Sequence, residues 1–140
     1  MRLAIIALAA GASCLGAAAI AARTSPLTTP APPSGTGVTG AECFRVHEIQ
    51  NRVIADDHTM LVNVDGRATY RLTMKGRCLA TATNSDPIST RALPGTSRIC
   101  KPADMDISIS QSGSIRPCLV DSIAKMSPAE AAALPKKYQP

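Results

Sequence analysis

From Thr59 to Val64 the chain reads TMLVNV, with Met60, Val62 and Val64 at alternate positions and Thr59, Leu61 and Asn63 between them. After Asp65-Gly66 the alternation resumes. Ala68, Tyr70, Leu72 and Met74 fall on one parity, and Thr69, Arg71, Thr73 and Lys75 on the other. A period of two on both sides of an Asp-Gly pair predicts a tight β-hairpin, because both turn residues tolerate positive φ. Its core face is predicted to be Met60, Val62, Val64, Tyr70, Leu72 and Met74. The second face, carrying Arg71 and Lys75, is assigned to solvent.

The same alternation recurs downstream. Met105, Ile107 and Ile109 alternate with Asp106, Ser108 and Ser110, which predicts another strand. Gln111-Ser112-Gly113 is the turn. Ser114 to Ile123 returns as one strand, interrupted at Pro117, whose missing N–H marks an edge or a bulge. Leu79 to Ser97 is rich in Thr, Ser, Asn, Pro and Gly and reads as a loop with one short strand at Ile88–Ala92. Ser97 to Cys100 is a further short strand. Upstream, Cys43–Val46 is extended and a strand lies near Arg52–Ala55; a helix from Arg45 to Ile54 competes. MSPAEAAAL predicts a short helix, with Ser127 as N-cap, Pro128 at the first position and Glu130 completing a capping box. The predicted fold is mainly β: a small antiparallel sheet or partly open barrel, closed by a short C-terminal helix.

The ends change where such a domain would work. Arg2 precedes a run without charge from Leu3 to Ala22 that finishes in small residues, the layout of a secretory signal peptide cut after Ala21 or Ala22. A membrane anchor is long enough but is expected to be richer in Leu. Lipidation at Cys14 is the other alternative; Gly11 stands where a Leu is usual. Residues 23–41 are Pro, Thr, Ser and Gly with almost no large apolar side chain, and are expected to form a disordered linker. The domain is placed at residues 42–134, with a tail at 135–140.

Loss of the leader removes Cys14 and leaves Cys43, Cys78, Cys100 and Cys118. An even count in a small exported domain predicts two disulfides. Three connectivities exist, and Cys43–Cys78 with Cys100–Cys118 is favoured, each bridge closing its own hairpin. Zinc needs ligands paired closely in sequence, and these four cysteines are spaced widely. The chain has 15 Lys and Arg, one of them Arg2, and 10 Asp and Glu, which leaves about +4 after cleavage. That charge suits an anionic surface. With one Phe, two Tyr and no Trp, the aromatics that single-strand nucleic-acid binders stack on are missing.

The candidate chemistry is sparse. His47, Asp56 and His58 are the residues that could hold a metal with a carboxylate, but Asp56-Asp57-His58 reads as turn chemistry. The serines of QSGSI sit in a predicted turn, unlike the strand-to-helix elbow of a serine hydrolase. Asp104 and Asp106 supply too few oxygens for calcium. No phosphate loop or dinucleotide fingerprint occurs, and no cofactor is implied. Arg67, Arg71, Lys75 and Arg77 form a basic face that could dock an anionic glycan or lipid; charges there also discourage edge pairing.

The order Cys43-Phe44-Arg45, Ile49, Asp56-Asp57-x-Thr59, Tyr70-Arg71-Leu72, Cys78, Ile99-Cys100, Asp104-x-Asp106-Ile107, Cys118 and Ser127-Pro128-x-Glu130 resembles a bacterial domain-of-unknown-function family of small exported proteins and predicted lipoproteins. The resemblance spans about Cys43 to Leu134. It implies export and a four-cysteine domain, and carries no catalytic residues. The expected role is a non-enzymatic cell-envelope module in the periplasm or outside the cell. A secreted inhibitor or accessory factor, inserting a loop such as Ser85–Pro94, and a small hydrolase are the alternatives.

Overall fold

A computed structural model describes residues 35–140. The expected signal sequence, Cys14 and most of the expected linker lie outside them. Seven strands form two antiparallel sheets. The larger has the order β1-β2-β3-β7 and the smaller β4-β5-β6. The fold is therefore mainly β, with one short helix and two disulfides, and no closed barrel.

The Asp-Gly hairpin sits at the centre of the larger sheet. β2 (Thr59–Val64) pairs with β3 (Ala68–Met74), and Met60, Val62 and Val64 face Leu72, Tyr70 and Ala68. Asp65 and Gly66 have φ of 53° and 65°, the left-handed pair that matches the twist of a hairpin. Each residue of the predicted core face is buried. β1 (Ile49–Ile54) follows one 3-10 turn at Val46–Glu48, so the segment that admitted a helix is a strand. It flanks β2, and β7 (Val120–Lys125) flanks β3.

The smaller sheet consists of β4 (Ile88–Ala92), β5 (Met105–Gln111) and β6 (Ser114–Cys118). Met105, Ile107 and Ile109 point inward and join Met60, Leu72, Phe44, Ile99 and Ile123 in one core. The expected long strand from Ser114 is two strands. The chain leaves the smaller sheet at Cys118 and enters the larger at Val120, with Leu119 exposed between them. Both runs stay short because the chain crosses from one sheet to the other here, while Cys118 and Val120 on either side of Leu119 both enter the shared core. Ile99 forms an isolated bridge with Phe44 in place of the short strand expected at Ser97–Cys100.

The expected disulfide pattern is wrong in both pairs. The bridges are Cys43–Cys100 and Cys78–Cys118, with Cα separations of 4.7 and 5.7 Å. The first follows from the antiparallel bridge of Phe44 to Ile99, which sets Cys43 opposite Cys100. Cys43 lies near Tyr70, since Phe44 and Tyr70 stack at 4.8 Å and the Tyr70 hydroxyl donates to the Glu42 carbonyl. Cys78 lies beyond the far end of β3 at Met74, and the strand from Tyr70 to Met74 alone covers about 13 Å, too far for a bond. Cys78 instead lies at the end of β3 where Lys75 N donates to the Leu119 carbonyl, and Cys118 is beside it. The two bridges cross in sequence, and neither closes a hairpin.

The domain also takes in residues before Glu42. Gly35 N donates to Asp121 O, Ile123 N to Thr36 O and Val38 N to Cys100 O, at 2.7 to 2.8 Å. Val38 is buried. A Cβ on Gly37 would stand 2.2 Å from the Cys100 carbonyl oxygen, so only glycine allows this approach. Gly35–Ala41, expected as linker, is thus a strap on the domain.

At the far end, the helix α1 (Pro128–Ala132) carries the predicted capping box: Ser127 Oγ accepts from Glu130 N, and Ser127 N donates to Glu130 Oε2 at 2.8 Å. The backbone N–H of Ser127 is the main cause that holds the Glu130 carboxyl below its ordinary pKa. Leu134 and Met126 cover Leu61, with Tyr138 packed beside them. The second hairpin face is therefore closed to solvent over Leu61 and Arg71, which is 7% exposed. Leu61 is the apolar interloper on that polar parity, and the C-terminal segment exists to cover it.

Candidate functional site

The residues that the sequence singled out are dispersed. His47 lies on the 3-10 turn before β1 and His58 on the loop after it, both exposed at opposite ends of a six-residue strand. Asp56 Oδ1 accepts from His58 N at 2.8 Å, which closes the turn. Asp57 binds the Arg77 guanidinium, and its carbonyl accepts from Leu79 N. Among the described residues no three of His, Cys, Asp and Glu converge as metal ligands.

The four basic residues lie in different surroundings. Arg67 is on the hairpin turn and lines a groove with Lys125 and Pro128. Arg71 is buried under the C-terminal segment. Lys75 borders a different groove, beside Leu119. Arg77 is held by Asp57. The reason is the cover over Leu61, which splits what an isolated hairpin would present as one stripe.

What the fold does assemble lies on the smaller sheet. Direct cross-strand partners point to one side. Ser89, Ser108 and Pro117 share a row, as do Arg91 and Asp106, and Ser110 with Ile115. This is the face away from Ile107 and Ile109. With Arg52 of β1 it lines an open groove of about 480 Å³. A second groove of about 580 Å³, more apolar, runs between Leu93, Met105, Leu119 and Lys75. Asp106 lines both, so they adjoin. The large apolar side chains left exposed among the described residues are Leu93, Ile115 and Leu119, at 40, 74 and 65%. Each lines one of these two grooves.

One wall is fixed by a polar network. Gln111 Nε2 donates to Thr81 O at 2.6 Å and to Asp86 Oδ2 at 2.9 Å. Asp86 Oδ2 also accepts from Thr83 N at 2.7 Å. That backbone donor first, and the Gln111 amide second, hold the Asp86 carboxyl below its ordinary pKa. Arg116 reaches Thr81 Oγ1 at 2.8 Å. The loop before β4 is thereby pinned to the β5–β6 hairpin, which sets Pro87 and Ile88 at the rim of the first groove.

β6 leaves one edge of the smaller sheet open. Ser110 N donates to Pro87 O, so the N–H groups of Ile107, Ile109 and Gln111 point toward β6. Pro117 then sits at a position whose N would face outward, so its missing donor costs the ladder nothing. Ser85–Pro94, expected as an inserting loop, contains β4, which is paired along its own length to β5.

Comparison with family models, curated proteins and solved structures finds no match to this chain.

Proposed function

We propose that this is an exported cell-envelope module, non-enzymatic, that binds a partner through the two grooves of its smaller sheet. The observation that carries the reading is the gathering of Leu93, Ile115 and Leu119 around adjoining grooves. Large apolar side chains exposed together mark interaction surfaces, whereas most other large apolar side chains among the described residues lie in or against the cores. Two disulfides fit a compartment that does not reduce them. No helix among the described residues is long and apolar enough to cross a membrane. The resemblance to a family of small exported four-cysteine proteins agrees with a leader at residues 1–22. The non-enzymatic part is supported by the separation of His47 from His58 and by the pairing of Cys43, Cys78, Cys100 and Cys118, which leaves none of those thiols as a nucleophile.

The test is photo-crosslinking in living cells from a probe at residue 119, followed by the same experiment in Leu93→Arg and Ile115→Arg backgrounds. A discrete adduct in the envelope fraction, lost in both variants while their melting temperatures hold, supports the reading. An adduct indifferent to both variants, or none from any position around the grooves, defeats it.

A further inference from the structure

We propose that the groove between Arg52, Arg91 and Asp106 binds an acidic saccharide, a sugar chain carrying carboxylates. The inference names the ligand of one groove of the surface just described and rests on that reading.

The groove belongs to a flat sheet face with an unusual inventory. Ser89 and Ser108 face each other across β4 and β5, and Ser110 follows two residues on. Their hydroxyls both donate and accept, which matches the hydroxyls of a sugar. Arg91 stands directly opposite Asp106, yet the two form no ion pair, and the Arg52 guanidinium has no partner among the described residues. Two guanidiniums and one carboxylate are therefore presented to a ligand uncommitted, with a net charge of +1. Ile115 and Pro117 supply an apolar strip on one side. At about 480 Å³ the groove is within the range of small-ligand sites.

Each component selects. Guanidiniums recognise carboxylates by paired parallel hydrogen bonds, so a neutral sugar leaves Arg52 and Arg91 unused. Asp106 needs donors, which the hydroxyls of a sugar provide beside its carboxylates, whereas the side chains of an acidic peptide offer carboxylates alone. No aromatic side chain lines the groove, which removes the stacking platform a nucleobase needs. The strip of Ile115 and Pro117 accommodates the C–H face of a ring. The Gln111–Asp86 network holds the rim in place before a ligand arrives, which lowers the ordering cost of binding.

The experiment is calorimetric titration of the disulfide-bonded protein with a galacturonic acid trimer, with maltotriose and a tetraglutamate peptide as competing ligands. The trimer is expected to bind, and Arg91→Ala and Arg52→Ala each to weaken it by roughly tenfold. Both residues are exposed, so the melting temperature is expected to hold in both variants. Asp106→Asn is expected to retain binding, since the amide still accepts from a hydroxyl and the carboxylate that opposes a uronate is gone. Equal binding of maltotriose, tighter binding of the peptide, or no saturation by the trimer at millimolar concentration overturns the inference. So does trimer binding unchanged in both arginine variants. Failure here with a groove-dependent crosslink at residue 119 leaves the binding-module reading standing; loss of that crosslink as well removes both.

Discussion

Arg71→Met is expected to make the protein more stable. Arg71 belongs to β3, opposite Leu61 on β2 and Ala124 on β7. The residue is 7% exposed and its Nη2 is buried without a hydrogen-bond partner. A buried donor left unpaired costs about 1–3 kcal/mol, and more when charged. The offset is small. Glu130 is the carboxylate that feels Arg71, but its pKa is lowered first by the Ser127 N–H, and Arg71 is the last of the causes. Met keeps the length of the side chain and its packing on Leu61 while removing the charge. The balance is a gain of about 1–2 kcal/mol, or about 4–8 °C in melting temperature for each kcal/mol. Urea titration at neutral pH reads it, with an unchanged m-value to show that the same surface is exposed. Ser122→Ala is expected to move the same way, because Ser122 Oγ is also buried and unpartnered. A loss of about 1 kcal/mol or more in Arg71→Met would mean instead that the guanidinium has a partner worth more than its burial costs.

Gly66→Val should destabilise the hairpin by about 1–2 kcal/mol, because Gly66 has a φ of 65° and a β-branched residue resists it; an unchanged melting temperature would contradict the turn. Removing either disulfide by paired Cys→Ala changes should cost about 4 kcal/mol on the chain-entropy account, since the bridges close separations of 57 and 40 residues; urea midpoints that barely move would contradict it. Burial first, then Glu42 and Glu48, raise the pKa of Tyr70. The folded protein therefore holds that proton more tightly, and its contribution, complete below pH of about 10, is lost as the pH rises through the folded value. Ultraviolet titration should show one phenol ionising late, and Tyr70→Phe should abolish that step; a single transition at the ordinary value in the parent would contradict it.

The elements legible in the sequence are those made by neighbours. The Asp65-Gly66 turn, the core parity of β2 and β3, the inward set of β5 and the capping box of α1 each depend on residues a few positions apart. The failures are long-range. Cysteine pairing depends on Phe44 meeting Ile99, and nothing local in either segment announces that bridge. The break of Ser114–Ile123 into β6 and β7 depends on two sheets taking up one chain, which the residues on either side of Leu119 do not announce. On the second hairpin face, Leu61 between Thr59 and Asn63 is the sign of burial, since a lone leucine on a polar parity asks for a cover. Val38 was the corresponding signal in a segment otherwise made of linker residues. For the grooves, the polar parity of β5 was visible in Asp106, Ser108 and Ser110, but Arg52, Arg91 and Asp106 come from three strands in two sheets, and their meeting is a property of the fold.

Non-reducing peptide mapping of the protein recovered from its cells reads the crossed disulfides and the proposed export together. The expected result is an N-terminal peptide beginning at Ala22 or Arg23, one linked peptide joining Cys43 to Cys100 and another joining Cys78 to Cys118. A product that retains Met1 with free thiols at these four positions would contradict it, as would a bridge from Cys43 to Cys78.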